Sequence, residues 1–145
     1  MAFKGNTYKV TRIGGGAFAL GSPSNVGYIK SVTIPNSVKS IGESAFYGIS
    51  RLRSVTIPNS VTRIEDKAFY HCGLTSVDIP SSVTYVGEQA FRCALSTLTV
   101  NADTIGNKAF IECPLDSISI GDSVKVIGDY AFASCANLRS VSVGS

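Results

Sequence analysis

Apolar residues fall along this chain in a recurring order rather than in long runs. Six trios share one spacing: Ile29, Val32, Ile34; Leu52, Val55, Ile57; Leu74, Val77, Ile79; Leu95, Leu98, Val100; Leu115, Ile118, Ile120; and Leu138, Val141, Val143. The last two members of each trio alternate with polar residues, and β-branched types dominate, so each trio predicts a short strand with one face inward. An Ala-Phe pair also recurs, at Ala17-Phe18, Ala45-Phe46, Ala68-Phe69, Ala90-Phe91, Ala109-Phe110 and Ala131-Phe132, with steps of 28, 23, 22, 19 and 22 residues. Four residues ahead of each Ala stands a branched aliphatic: Ile13, Ile41, Ile64, Val86, Ile105 or Ile127. A period of about 22 is the signature of a solenoid, in which each unit buries its apolar edge only against its neighbours.

The polar positions shape the unit. Pro35, Pro58 and Pro80 follow the first three strands; lacking an N–H, each closes its strand and turns the chain. Asn101 and Gly121, both common in turns, take that place in the next two repeats. Five of the six aliphatics before Ala-Phe are followed by glycine, at Gly14, Gly42, Gly87, Gly106 and Gly128, with Glu65 the exception. Such glycines predict a tight corner or a backbone geometry other residues reach at a cost. Acidic residues at Glu43, Asp66, Glu88 and Asp129 suit the positive end of a short helix. The expected fold is therefore an α/β repeat solenoid of about six repeats, with a parallel sheet on one face and short helical or 3₁₀ turns on the other.

Departures from the period mark special places. Residues Leu20 to Gly27 are extra, and predict a projecting loop. The repeat at Asn101 is short, lacks a counterpart of Val38, Val61, Val83 and Val124, and predicts a local change of curvature. The chain reads as one domain over residues 1–145: a cap-like segment over 1–12, then repeats over 13–145 whose C-terminal end carries no cap. An uncapped strand edge is ready to pair, so Val141 and Val143 mark a candidate edge interface.

Composition changes this picture little. The chain is 44% hydrophobic and 16% charged, as suits a core-forming protein, and no apolar stretch is long enough to cross a membrane. Charge is uneven: residues 1–70 hold nine Lys and Arg against three Asp and Glu (9 − 3 = +6), residues 71–145 four against seven (4 − 7 = −3). In an elongated array this becomes a dipole able to steer a partner. Nucleic-acid binding is disfavoured, because no basic cluster is interleaved with exposed aromatics.

The consensus Leu-x-x-Val-x-Ile-Pro-x-Ser-Val-x-x-Ile-Gly-x-x-Ala-Phe-x-x-Cys, best seen from Leu52 to Cys72 and from Leu74 to Cys93, resembles the BspA-type leucine-rich repeat of bacterial and protist surface proteins. That resemblance covers nearly the whole chain. It implies a horseshoe or flatter solenoid used for adhesion to host proteins, cells or other microbes, without catalysis.

Candidate chemistry is sparse. Cys72, Cys93, Cys113 and Cys135 occupy one slot in four successive repeats. A column stepped by roughly 5 Å cannot share one zinc at about 2.3 Å, so these cysteines read as buried thiols filling a core position. His71, the only histidine, is a poor partner for Cys72, since neighbours along a turn seldom point together. Gly14-Gly15-Gly16 does not follow a strand in a nucleotide-binding unit, so phosphate cradling is not expected. No catalytic residue, metal site or cofactor is expected. The candidate binding surface is the outward strand face: Lys30, Ser31, Thr33; Arg53, Ser54, Thr56; Thr75, Asp78; Thr97, Thr99; Asp116; and Arg139. The expected partner is a protein, with a glycan as the alternative; a homodimer through the C-terminal edge is a further expectation. A piece of a longer surface protein would be displayed or secreted, whereas a complete chain would act in the cytoplasm as a binder or inhibitor.

Overall fold

The computed structural model describes residues 9–19 and 28–144, with the backbone of two short strands before them, β1 (Ala2–Phe3) and β2 (Asn6–Thr7), which pair antiparallel. The projection expected at Leu20 to Gly27 lies outside the described residues, as do the side chains of the expected cap ahead of Lys9. From Arg12 onward the chain winds as a parallel β-solenoid. One wall is an unbroken six-stranded sheet of β3 (Arg12–Ile13), β5 (Ser40–Ile41), β7 (Arg63–Ile64), β9 (Tyr85–Val86), β11 (Thr104–Ile105) and β13 (Val126–Ile127). A second wall carries the strands expected from the trios: β4 (Ser31–Thr33) with β6 (Ser54–Thr56), then β8 (Ser76–Ile79), β10 (Thr97–Val100), β12 (Ser117–Ile120) and β14 (Ser140–Val143). Each strand lies beside its equivalent in the next repeat, so like residues stack: Val77 beside Leu98, Leu98 beside Ile118, and Ile41 between Ile13 and Ile64.

That register builds the core. Inward residues such as Ile79, Val100, Ile105 and Leu115 are fully buried, and no polar or charged residue is buried among those described. Through the middle runs a column of rings, Phe18, Phe46, Phe69, Phe91, Phe110 and Phe132, stacked at centroid separations of 5.0–5.5 Å. The short repeat does not leave its slot empty: Ala102 is fully buried there, and the six-stranded wall passes through β9, β11 and β13 without a break.

The third wall differs from expectation. No helix or 3₁₀ turn occurs among the described residues; each repeat instead makes consecutive β-turns across its Ala-Phe pair. The cause lies in the residue ahead of Ala. Ser44, Lys67, Gln89, Lys108 and Tyr130 all adopt φ of 54–57°, as Gly16 does at 64°, and one left-handed residue ends any helix. It also turns the peptide outward. The Phe46 N–H then bonds Ala68 O at 2.8 Å, Phe69 bonds Ala90 O at 2.8 Å, and Phe110 bonds Ala131 O at 2.9 Å, each crossing to the next repeat. The acidic residues accordingly cap no helix. Asp66 Oδ1 accepts the Glu88 N–H at 2.8 Å, and Asn107 Oδ1 accepts the Asp129 N–H at 2.8 Å, each supporting the following turn.

The corner glycines are needed for closeness rather than for φ. A Cβ at Gly87 would lie 2.4 Å from Asp66 N, and one at Gly42 would lie 2.6 Å from Gly15 N. The backbone of one repeat rests directly on the backbone of the last.

The cysteines fill the expected slot. Cys72, Cys93 and Cys113 are buried and Cys135 half-buried, all as free thiols. Their Sγ atoms donate to the carbonyls of Phe46, Phe69, Phe91 and Phe110 in the preceding repeat, at 2.7–3.5 Å. Burial pushes the Cys93 thiol well up, carries Cys113 to about 12, and raises Cys135.

Two predictions follow from this packing. Gly87→Ala should cost about 1–3 kcal/mol, because backbone must move to admit one methyl; Lys67→Gly should leave urea stability unchanged or raise it, by relieving a left-handed residue. The thiols carry a sign: a pKa raised on folding contributes stability at neutral pH that is lost as pH rises from the ordinary thiol range toward 12. Urea midpoints should therefore fall across that range, and at pH 8 a disulfide-exchange reagent should label native Cys135 ahead of Cys93 and Cys113.

Candidate functional site

The strand wall places the sequence-derived residues in regular columns. Ser31 lies beside Ser54 and Thr33 beside Thr56; further along, Thr97 stands between Ser76 and Ser117, and Thr99 between Asp78 and Ser119. All twelve predicted residues are exposed or, for Thr99, half-buried, while Val77, Leu98 and Ile118 point the other way into the core. The alternation of period two turns each hydroxyl outward. The charged column forms just before the strands: the Arg53 N–H bonds Lys30 O at 2.8 Å and the Arg139 N–H bonds Asp116 O at 3.0 Å, so these pairs are neighbours.

Two features of this wall were not expected. Its ladder is interrupted, with β4 and β6 forming one panel and β8, β10, β12 and β14 another. Arg53, at the seam, reaches sideways to give Nη1 to Gly73 O at 3.2 Å, so its guanidinium is partly engaged in bridging the panels. The edge residues Val141 and Val143, on β14, are 52% and 69% exposed.

The edge between the Phe column and the strand wall holds a groove of about 670 Å³. Its origin is a count. Between Phe and the next trio's Leu lie five residues after Phe46, four after Phe69, three after Phe91, four after Phe110 and five after Phe132, a dip centred on Cys93. Cys72, Cys93, Ala94 and Pro114 contribute to its lining with His71, Arg92 and Glu112. Arg92 bonds Glu112 and the Tyr70 hydroxyl, and these bonds hold its charge firmly in place, the Glu112 bond most. His71 stacks on Tyr70 at 4.3 Å, in a left-handed conformation, while the Cys72 thiol is turned to Phe46 O. A Cys-His nucleophile is not assembled. Among the described residues no three His, Cys, Asp or Glu side chains are grouped to hold a metal ion.

On the six-stranded wall, Arg63 lies over the Tyr85 ring at 4.7 Å and gives Nε to Glu65 Oε1 at 2.8 Å. Its hydrogen bond holds Glu65 below the usual carboxylate range, and Glu65 in turn raises Arg63. Both side chains are substantially exposed, so this pair contributes little stability. Sequence alone could not find the contact of Arg63 with Tyr85, because the two meet only through the repeat register.

Comparison with known proteins agrees with this geometry. The BspA type leucine rich repeat region matches residues 11–139, in six copies. Among solved structures, a leucine-rich repeat protein of T. pallidum superposes with a TM-score of 0.76 at 25% identity, over 93% of this chain and 66% of its own. One from Bacteroides ovatus gives 0.74 at 29%, over 97% and 43% respectively, and one from Eubacterium ventriosum 0.75 at 26%, over 88% and 37%. This chain thus spans 66% or less of each of them. None of the curated proteins matches it. With the repeat matched across nearly its whole length and the same winding in its neighbours, the chain belongs to the BspA-type leucine-rich repeat family.

Proposed function

We propose that this chain is a protein-interaction module of a microbial surface adhesin, binding a host or microbial protein through its strand wall without catalysis. The observation that carries this reading is the register. It lines up small hydroxyls over the four strands from β8 to β14, with the Asp78 carboxylate among them and Thr75, Asp116 and Arg139 at the flank. Such a surface offers many small hydrogen bonds to a partner's backbone and side chains. A protein suits it better than a glycan, since the wall carries no aromatic ring on which a sugar could stack. Surface display is supported by the family's membership among surface proteins; no described helix is long and apolar enough to cross a membrane.

The test compares two variants for binding to cultured epithelial cells and to immobilised plasma proteins. Ser76→Arg with Thr97→Arg blocks the wall, and Lys125→Glu alters a charge on the opposite wall. Binding that falls at least tenfold in the first variant, at unchanged melting temperature, and holds in the second is the expected result. The reverse pattern, or no binding by the parent chain, would count against the strand wall.

A further inference from the structure

We propose that Cys72 and Cys93, at the groove beside the Phe column, form a two-coordinate site for a soft d10 metal ion that favours linear thiolate ligation, such as Cu(I) or Hg(II). The site lies off the strand wall and is independent of the binding role given to that wall. It rests on the register that stacks the thiols. Cys72 Sγ donates to Phe46 O at 3.0 Å and Cys93 Sγ to Phe69 O at 2.7 Å, and Phe46 and Phe69 are equivalents whose rings stack at 5.0 Å. The two thiols therefore hold matching places in successive repeats, one strand spacing of about 4.8 Å apart.

That spacing selects a geometry. The midpoint between two such sulfurs lies about 2.4 Å from each, close to the ~2.3 Å of a metal–thiolate bond. An ion seated there is bonded to both sulfurs with little movement of either. A tetrahedral ion with bonds of the same length would instead draw its sulfurs to about 3.8 Å and require two further ligands. Among the described residues no group of three His, Cys, Asp or Glu side chains offers them: His71 is stacked on Tyr70, and Glu112 is bonded to Arg92. Two ligands in line favour a linear ion, and sulfur ligands favour a soft one.

The groove supplies the way in. Cys72 and Cys93 contribute to its lining with Ala94 and Pro114, whereas Cys113, the next thiol of the column, is fully buried. The opening falls at this pair because the segment between Phe91 and Leu95 is the shortest of the five, three residues with Cys93 among them.

Binding exchanges protons for metal. Two S–H bonds break and two S–metal bonds form, with no change of oxidation state, and both protons leave to water in the groove. Cu(I) with two thiols gives a bis-thiolate of charge −1 and two protons; Hg(II) gives an uncharged complex and two protons. The carbonyls that lose a thiol donor keep another, since Phe46 O also accepts the Ile49 N–H at 3.5 Å and Phe69 O the Cys72 N–H at 3.3 Å. Burial raises the Cys93 thiol, and contact with the Cys72 thiol adds to it. The protons thus hold the pair against hard ions and yield to an ion that bonds sulfur strongly.

The experiment titrates the reduced full chain, under nitrogen, with Cu(I) and separately with Hg(II), followed by the ultraviolet thiolate-to-metal band and by X-ray absorption of the sample holding one equivalent. The first equivalent should release two protons and show two sulfur neighbours in line. Its apparent affinity should rise about a hundredfold per pH unit between about pH 5 and 7, because two protons leave. Zn(II) in large excess should not displace it. Cys113→Ala with Cys135→Ala leaves the pair alone and should bind as wild type does; Cys72→Ala and Cys93→Ala should each lose the two-sulfur signal. Binding of both ions supports a site for soft ions of either charge, and binding of Hg(II) alone supports one that accepts only the ion leaving the buried pair uncharged. No binding of either ion, a first equivalent with three or four ligands, equal competition by Zn(II), or a single variant that binds as wild type does would overturn the proposal. If a single variant loses its folded circular dichroism spectrum, the Cys113→Ala, Cys135→Ala protein decides: binding kept supports the pair, and binding lost sinks it.

Discussion

Everything in this molecule depends on each residue lying against its own equivalent one repeat away. Backbone hydrogen bonds impose that rule on the strand and turn walls, and the Phe column repeats it through the centre. Like packs on like because the walls permit no other register: a slip by one residue would turn the inward Val77, Leu98 and Ile118 outward together. The corner glycines and the thiols are consequences of the same rule. A backbone carried against the next backbone leaves no room for a side chain at Gly87, and the Phe69 carbonyl, which accepts the Cys72 N–H within its own turn, takes a second hydrogen bond from the Cys93 thiol of the following repeat.

The turn wall differs from the two strand walls in how its hydrogen bonds run. Strands in a parallel sheet alternate donor and acceptor along each edge, but on the turn wall the backbone rungs made by Ser44, Phe46, Lys67, Phe69, Lys108 and Phe110 all give their N–H to the next repeat. The left-handed residue ahead of each Ala makes this possible. Without it the turn would close on itself as a helix, its N–H groups would be used within the repeat, and the third wall would hold together only by side-chain packing.

Much of this was legible in the sequence. The Ala-Phe column, the strand trios and the thiol slot appear as spacings, and spacings survive folding because the fold is periodic. The helical turns expected beside Glu43, Asp66 and Glu88 did not form. Left-handed positions are usually announced by Gly or Asn, and here they are held by Ser44, Lys67, Gln89 and Lys108, residues with no such preference. The corner glycines stand two residues earlier, where the need is for clearance. Ala102 was overlooked because a methyl group fills a slot elsewhere held by Val83. Of the strand wall, outward and inward faces were readable from alternation; the seam between β6 and β8, and the pull of Arg53 toward Gly73, depend on loop lengths and side-chain reach.

The groove at Cys93 shows where this architecture can vary. Strand and turn walls are locked by register, so adding a residue to either would displace every repeat beyond it. The segment between Phe and Leu lies outside that lock, and in five successive repeats it runs from five residues to three and back to five while the core beneath stays closed. Length varies along this edge, as it does between Val100 and Ile105, where the chain from one strand wall to the other is two residues shorter than between Ile79 and Val86, and relief can be carved into the surface a residue or two at a time. A solenoid of this kind separates what must repeat from what can differ, and keeps its individuality in the connections between its walls.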